Sequence, residues 1–215
     1  MISPNLEPPV SLGTDFVDHA IFPALREMYD NKGLASYGVT CWPHDIDSGW
    51  DHQRSTLEIL GLLTNRLLQY STDTYGQPVE RISYEIHAHD VELGRMQTAY
   101  NGDTGRWHID AGEPSLGDLF VSDSLPTEFL VTTPKKGWRA NKARQKLLSS
   151  PRLSNFDFDP IAVQKAIEKG VYSIYTPQPY EAVIGNDHLH QSPINPGPNT
   201  IQRVWLRAVL FSTPS

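Results

Sequence analysis

Arg81-Ile82-Ser83-Tyr84-Glu85-Ile86 alternates polar and apolar residues with a period of two. That is the pattern of a strand with one face buried, and Ile and Tyr are strong strand formers. The chain before it is helical in period. Asp15 to Tyr29 carries Phe16, Ala20, Ile21, Leu25 and Met28 at helical spacing, with Pro23 predicting a kinked or two-part helix. Ser55-Thr56-Leu57-Glu58 is a capping box. It opens a predicted helix from Thr56 to Tyr70 with Leu57, Leu60, Leu63, Leu67 and Leu68 on its apolar side. Residues 1–13 read as an irregular, proline-rich arm.

Beyond Ile86 the chain becomes a series of short strands. Leu93 to Tyr100, Arg106 to Asp110, Asp118 to Ser122 and Glu128 to Thr132 are separated by turn chemistry at Asn101 to Gly105 and at Ser124-Leu125-Pro126. Val171 to Tyr175, Tyr180 to Ile184 and Asp187 to Gln191 come next, divided by Pro177, Pro179 and Gly185. After the loop Pro193 to Asn199, Ile201 to Phe211 is a long strand that closes the sheet, with Arg203, Trp205 and Arg207 on one face. Residues 134–170 differ. Ala140 to Leu148 reads as a helix, and Asp159 as N-cap, Pro160 and Gly170 bracket another. Lys135, Lys136, Arg139, Lys142, Arg144 and Lys146 make this region basic, either a solvated helix face or a lid that draws in an acidic substrate. The fold expected is mainly β: a double-stranded β-helix, or jelly roll, buttressed by N-terminal helices and carrying a helical insertion. One domain, 1–215, is expected, with arm and supporting helices in 1–75, β core in 81–132 and 171–211, and insertion in 134–170.

Composition narrows the partners. The formal charge of −7 opposes non-specific binding to nucleic acid or anionic membrane. No run of 18 apolar residues exists, and Met1 to Pro9 lacks the basic-then-apolar pattern of a signal peptide. The single cysteine, Cys41, has no partner for an internal disulfide and reads as a small buried hydrophobe. The expectation is a cytoplasmic protein acting on a small molecule. His44, Asp45, Asp47 and His52 form a polar loop whose simplest reading is turn formation.

The chemistry concentrates elsewhere. In Gly105-Arg106-Trp107-His108-Ile109-Asp110-Ala111-Gly112 an imidazole and a carboxylate stand two residues apart, so an extended chain aims both at one point. Far downstream, Asp187-His188-Leu189-His190 offers a second imidazole, with Arg203 and Arg207 beyond it. Two histidines and one carboxylate on one octahedral face hold non-haem Fe(II) and leave positions open for other ligands. His188 and His190 share a strand face, so spacing alone does not choose between them.

His108-x-Asp110, a distant His and then an Arg resembles the pattern of the Fe(II)/2-oxoglutarate-dependent oxygenases over about residues 95–211. His190-x-Ser192-Pro193-x-Asn195 followed by Arg203 is similar to the C-terminal motif of that family, which favours His190 as the third ligand. The resemblance implies Fe(II) held by His108, Asp110 and His190. It also implies 2-oxoglutarate as cosubstrate, its far carboxylate paired with the guanidinium fork of Arg203. Many members place Ser or Thr two residues after that Arg, where this chain has Trp205. Arg207, on the same face, would replace that contact or bind the substrate. The implied reaction oxidises, most often hydroxylates, a C–H bond of a small molecule such as an amino acid or natural-product intermediate, releasing succinate and carbon dioxide.

Two readings compete. His87-Ala88-His89-Asp90-Val91-Glu92 resembles the first cupin motif, without its leading Gly and with a shorter spacing to Glu, and implies a metal enzyme that needs no 2-oxoglutarate. The other is a jelly-roll binding module without catalysis.

Overall fold

A computed structural model of the chain describes residues 4–32, 36–41, 51–94, 107–110, 115–149 and 158–212. The elements are β1 (Val10–Gly13), a 3-10 turn (Thr14–Phe16), α1 (Ile21–Lys32), β2 (Ser36–Cys41), α2 (Asp51–Tyr75), β3 (Val79–Val91), β4 (Gly117–Ser122) and β5 (Glu128–Thr132), then α3 (Trp138–Leu148), α4 (Pro160–Glu168), β6 (Tyr172–Tyr175), β7 (Ala182–Gly185), β8 (His190–Gln191) and β9 (Ile201–Ser212).

The strands form two antiparallel sheets. The larger has the order β1-β7-β4-β9-β3-β2 and the smaller the order β6-β5-β8. Strands distant in sequence lie side by side, as when β9 inserts between β3 and β4. This is the jelly roll that the alternating pattern predicts.

Side-chain parity sorts the residues into layers. On β3 and β9 the even positions Ile82, Tyr84, Ile86, Val204, Leu206, Ala208 and Leu210 pack under α1 and α2 against Phe22, Leu25, Leu60, Leu63 and Leu67. The two layers are pinned by a buried bond between the Thr64 hydroxyl and the Tyr84 phenol at 2.8 Å. Behind the smaller sheet a second core joins Trp107, Ile109, Leu130 and Leu189 to α3 and α4 through Leu147 and Val163. Between the sheets lies a small cluster of Phe120, Phe129, Val131 and Val183. The odd positions of β9, including Arg203, Trp205 and Arg207, face this space.

Several elements depart from expectation. The arm at 1–13 contributes β1, which pairs with β7, and Leu6 accepts from the Thr132 amide at 2.7 Å. The segment 15–29 is in two parts, the 3-10 turn Thr14–Phe16 and α1 from Ile21, and the division falls ahead of Pro23, which sits in the first turn of α1 where its missing N–H has no intrahelical partner to lose. The helix expected from Thr56 runs from Asp51 to Tyr75, so the capping box lies inside it. Asp187 to Gln191 holds a two-residue strand, and the strand expected at 106–110 makes one bridge, at His108. Leu93 and Gly94 form a turn. The rest of the strand expected to Tyr100, the turn at 101–105, His44, Asp45, Asp47 and the side chains of Cys41, His52 and His89 lie outside the described residues. The helices of 134–170 form as read, with the Asp159 carboxylate accepting from the Ile161 amide at 2.9 Å.

Candidate metal centre

Backbone pairing brings the two ends of the motif together. The His108 amide donates to the His190 carbonyl at 2.9 Å, and the His190 amide donates back to the His108 carbonyl at 3.0 Å. Residues that exchange both bonds across antiparallel strands project their side chains to the same face. The two imidazoles therefore stand side by side, ring centroids 4.4 Å apart. Alternation does the rest: Trp107, Ile109 and Leu189 turn into the outer core, and His108, Asp110 and His190 turn inward.

One ligand atom from each of His108, Asp110 and His190 lies within 4.8 Å of the others, and this is the one such group among the described residues. Asp110 stands between the imidazoles, with Oδ1 3.6 Å from His108 Nε2 and Oδ2 3.3 Å from His190 Nε2. Neighbouring ligands of an octahedral ion with bonds of about 2.1 Å are ~3 Å apart, so small movements would close the set on a metal. The tautomer is also fixed. His190 Nδ1 lies 2.9 Å from the His188 carbonyl, which only accepts, so Nδ1 keeps its proton and Nε2, which faces Asp110, is the nitrogen whose lone pair a metal would take once its proton is lost.

Charge supports the same three residues. Burial would raise the Asp110 carboxyl, but His190, Arg207 and His108 outweigh it and hold it well below the usual carboxylate range. Burial would lower His190, and Asp110 overrides it and raises the imidazole. A donor set of two imidazoles and an ionised carboxylate suits a divalent transition metal.

Arg207, not Arg203, touches this set. Its Nη2 lies 3.2 Å from Asp110 Oδ2 and donates to Asp118 Oδ2 at 2.7 Å, and its Nη1 lies 3.5 Å from Glu85 Oε2. Glu85 bonds His87 Nε2 at 2.9 Å, and the His87 ring packs on Trp205 at 5.1 Å. Arg203 is four residues back on β9, roughly 13 Å away between α-carbons. It is 2% exposed and donates from Nε to the Ser124 carbonyl at 3.2 Å. Burial lowers it to about 9, with Asp123 opposing. His188 stands outside the ligand group, and the cupin histidine His87 is committed to Glu85. Glu92 is exposed beyond the end of β3.

A small cleft opens onto the centre. Asp110 and His190 form one wall and Asp118 and Phe120 of β4 another, with Gly185, Asp187 and His188 completing it. Sequence reasoning missed Glu85, Asp118 and Phe120 as neighbours of the site. The register Phe120↔Arg207, which places Asp118 next along the same face, is a tertiary fact. A charged residue heading an otherwise apolar strand was the one signal available.

No family model matches the chain, and no curated protein matches it in sequence. Solved structures do. AviO1 from Streptomyces viridochromogenes Tue57 aligns over 98% of this chain and 93% of its own, at 12% identity and a TM-score of 0.49. EvdMO1 aligns over 98% of this chain at 13% identity and a TM-score of 0.50, and this chain spans 48% of its length. A Pseudomonas putida prolyl-4-hydroxylase aligns over 99% of both chains at 10% identity and a TM-score of 0.40. At such identities the EvdMO1 likeness bears on the fold alone. No helix among the described residues is long and apolar enough to cross a membrane.

Proposed function

We propose that the chain is a non-haem Fe(II) oxygenase that uses 2-oxoglutarate and dioxygen to oxidise a C–H bond of a small molecule, most often to an alcohol. The observation that carries this reading is the convergence of His108, Asp110 and His190 inside a jelly roll, within 4.8 Å of one another. These three residues would hold the iron. When bound, the metal and its cosubstrate supply the oxidising chemistry; the chain's own residues bind, orient and exclude water.

Arg203 is the proposed anchor for the far carboxylate of 2-oxoglutarate. Its guanidinium is buried on the inward face of β9, where burial disfavours its charge, so a carboxylate ligand would stabilise it. Arg207 is a poorer anion receptor, because Asp110, Asp118 and Glu85 already surround it. Its role is to hold Asp110 and Asp118 in place.

The test is spectroscopic. Fe(II) and 2-oxoglutarate added to the anaerobic chain should give a weak visible charge-transfer band that His108→Ala removes and His87→Ala leaves. A band that depends on His87 and not on His108 would move the assignment to the cupin set; no band and no succinate with any substrate would favour a binding module.

A further inference from the structure

The cleft beside the metal centre is acidic. Asp110, Asp118 and Asp187 contribute to its walls, with His188, His190 and Phe120, and its lining among the described residues has no lysine or arginine. Arg207 lies behind it, shared among Asp110, Asp118 and Glu85. A dication at the ligand set and Arg207 together leave the carboxylates Asp110, Asp118, Glu85 and Asp187 one negative charge in excess, and a dianionic cosubstrate would deepen it.

His188 is the second, independent observation. It is 6% exposed, lines the cleft, and neither ring nitrogen makes a hydrogen bond of normal geometry. The backbone of Glu7 and of Asn186 approaches the ring closely enough to favour its protonated form as a hydrogen bond would, but at a poor angle, so neither nitrogen is well satisfied. A buried imidazole without such a bond is costly unless something supplies one. Its seat is built: a Cβ at position 185 would overlap the ring, so Gly185 makes the space it fills.

From this geometry we infer that the cleft receives a cationic group of the substrate, an ammonium or a guanidinium, through the Asp187 carboxylate and the His188 imidazole. Asp118 adds charge, with its Oδ2 bonded to Arg207 and its Oδ1 3.0 Å from the Ser115 hydroxyl. Asp187 is exposed at the mouth, where a carboxylate attracts a cation and is partly screened by salt. Phe120 lines the same cleft, but its ring already lies under the Arg207 guanidinium at 5.9 Å and adds no contact to the cation. The basic face of 135–146 is not part of this lining, so the acidic substrate it invited in sequence finds no partner there. The assignment rests on the oxygenase reading above and takes this cleft, which opens onto the ligand set, as the substrate's approach.

The test measures binding of n-butylguanidinium, its neutral isostere n-butylurea and pentanoate to the full chain, metal-free and Zn(II)-loaded, by ligand-observed NMR. Butylguanidinium should bind at least tenfold more tightly than butylurea, and pentanoate more weakly than either. Asp187→Asn should weaken butylguanidinium about three- to fivefold and leave butylurea and Zn(II) affinity unchanged; Asn also tolerates the left-handed backbone of this position, φ 53°. His188→Phe should weaken both N–H donors and spare Zn(II). Equal affinity for the guanidinium and the urea, preference for pentanoate, or full affinity in Asp187→Asn would overturn the assignment. Zn(II) affinity separates the two readings. A chain that prefers the cation but binds no Zn(II) defeats the oxygenase reading alone. One that binds Zn(II) without charge preference defeats the cation site alone.

Discussion

Arg207 Nη2 sits 3.2 Å from Oδ2 of Asp110, so a fixed cation touches the carboxylate proposed to hold the metal. The contact orients Asp110, and a metal held by that carboxylate would share its negative charge with the guanidinium. Arg207→Met leaves Asp110, Asp118 and Glu85 without their shared counter-charge and should destabilise the metal-free chain by roughly 3 kcal/mol. A divalent ion would neutralise the same carboxylates, so the metal-induced rise in Tm should be larger in this variant than in the parent chain. An equal or smaller rise, read by thermal unfolding with and without Zn(II), would show that Arg207 does not balance this charge.

Arg203 should behave in the opposite way. Its burial disfavours its charge, so Arg203→Met should change stability by no more than about 1 kcal/mol in denaturant unfolding. Affinity for 2-oxoglutarate, titrated through the anaerobic charge-transfer band, should fall by about 10- to 100-fold. A large loss of stability with cosubstrate binding intact would make Arg203 a structural residue.

Protonation should separate the metal-free and metal-loaded chains. His190 is raised by Asp110, so its contribution to stability is fully present below its unfolded value of about 6.5 and is lost as pH rises through its folded value. Asp110 is lowered, so its contribution is present above about 3.9 and is lost as pH falls through its folded value. The metal-free pair is therefore worth more at pH 5.5 than at pH 8. Metal binding needs neutral imidazoles and runs the other way. The gap in Tm between Zn(II)-loaded and metal-free chain should widen from pH 5.5 to pH 8 and close in His190→Gln; parallel profiles would contradict the pairing.

Gly185→Ala puts a methyl group where the His188 ring lies. The strain should cost about 1–3 kcal/mol. His188→Ala in the same chain should relieve it, giving a non-additive cycle in urea unfolding. Additive losses would mean that the ring does not depend on the space at 185.

Much of the fold was legible because strand parity is a local property. The alternation in Arg81 to Ile86 and in Ile201 to Phe211 reports which face is buried, and β3 and β9 obey it. Local signals failed where packing overrode them. The capping box at Ser55 to Glu58 sits inside α2, whose polar first turn, Asp51-His52-Gln53-Arg54, carries no apolar period to announce it. The proline-rich start became β1 because the edge of β7 was open to pairing.

For the site, the sequence by itself determined the donor types and their parity: Trp107, His108, Ile109 and Asp110 alternate core-facing and inward-facing residues, and His188, Leu189 and His190 do the same. Whether His108 meets His190, and which arginine reaches Asp110, depended on how β8 and β9 lie against their neighbours. Spacing along a chain carries no information about register between strands far apart in sequence, and one residue of slip would turn every inward side chain outward. The acid lining of the cleft is likewise a tertiary product, drawn from β4 and from the loop before β8, two segments that only the pairing of β4 with β7 makes adjacent.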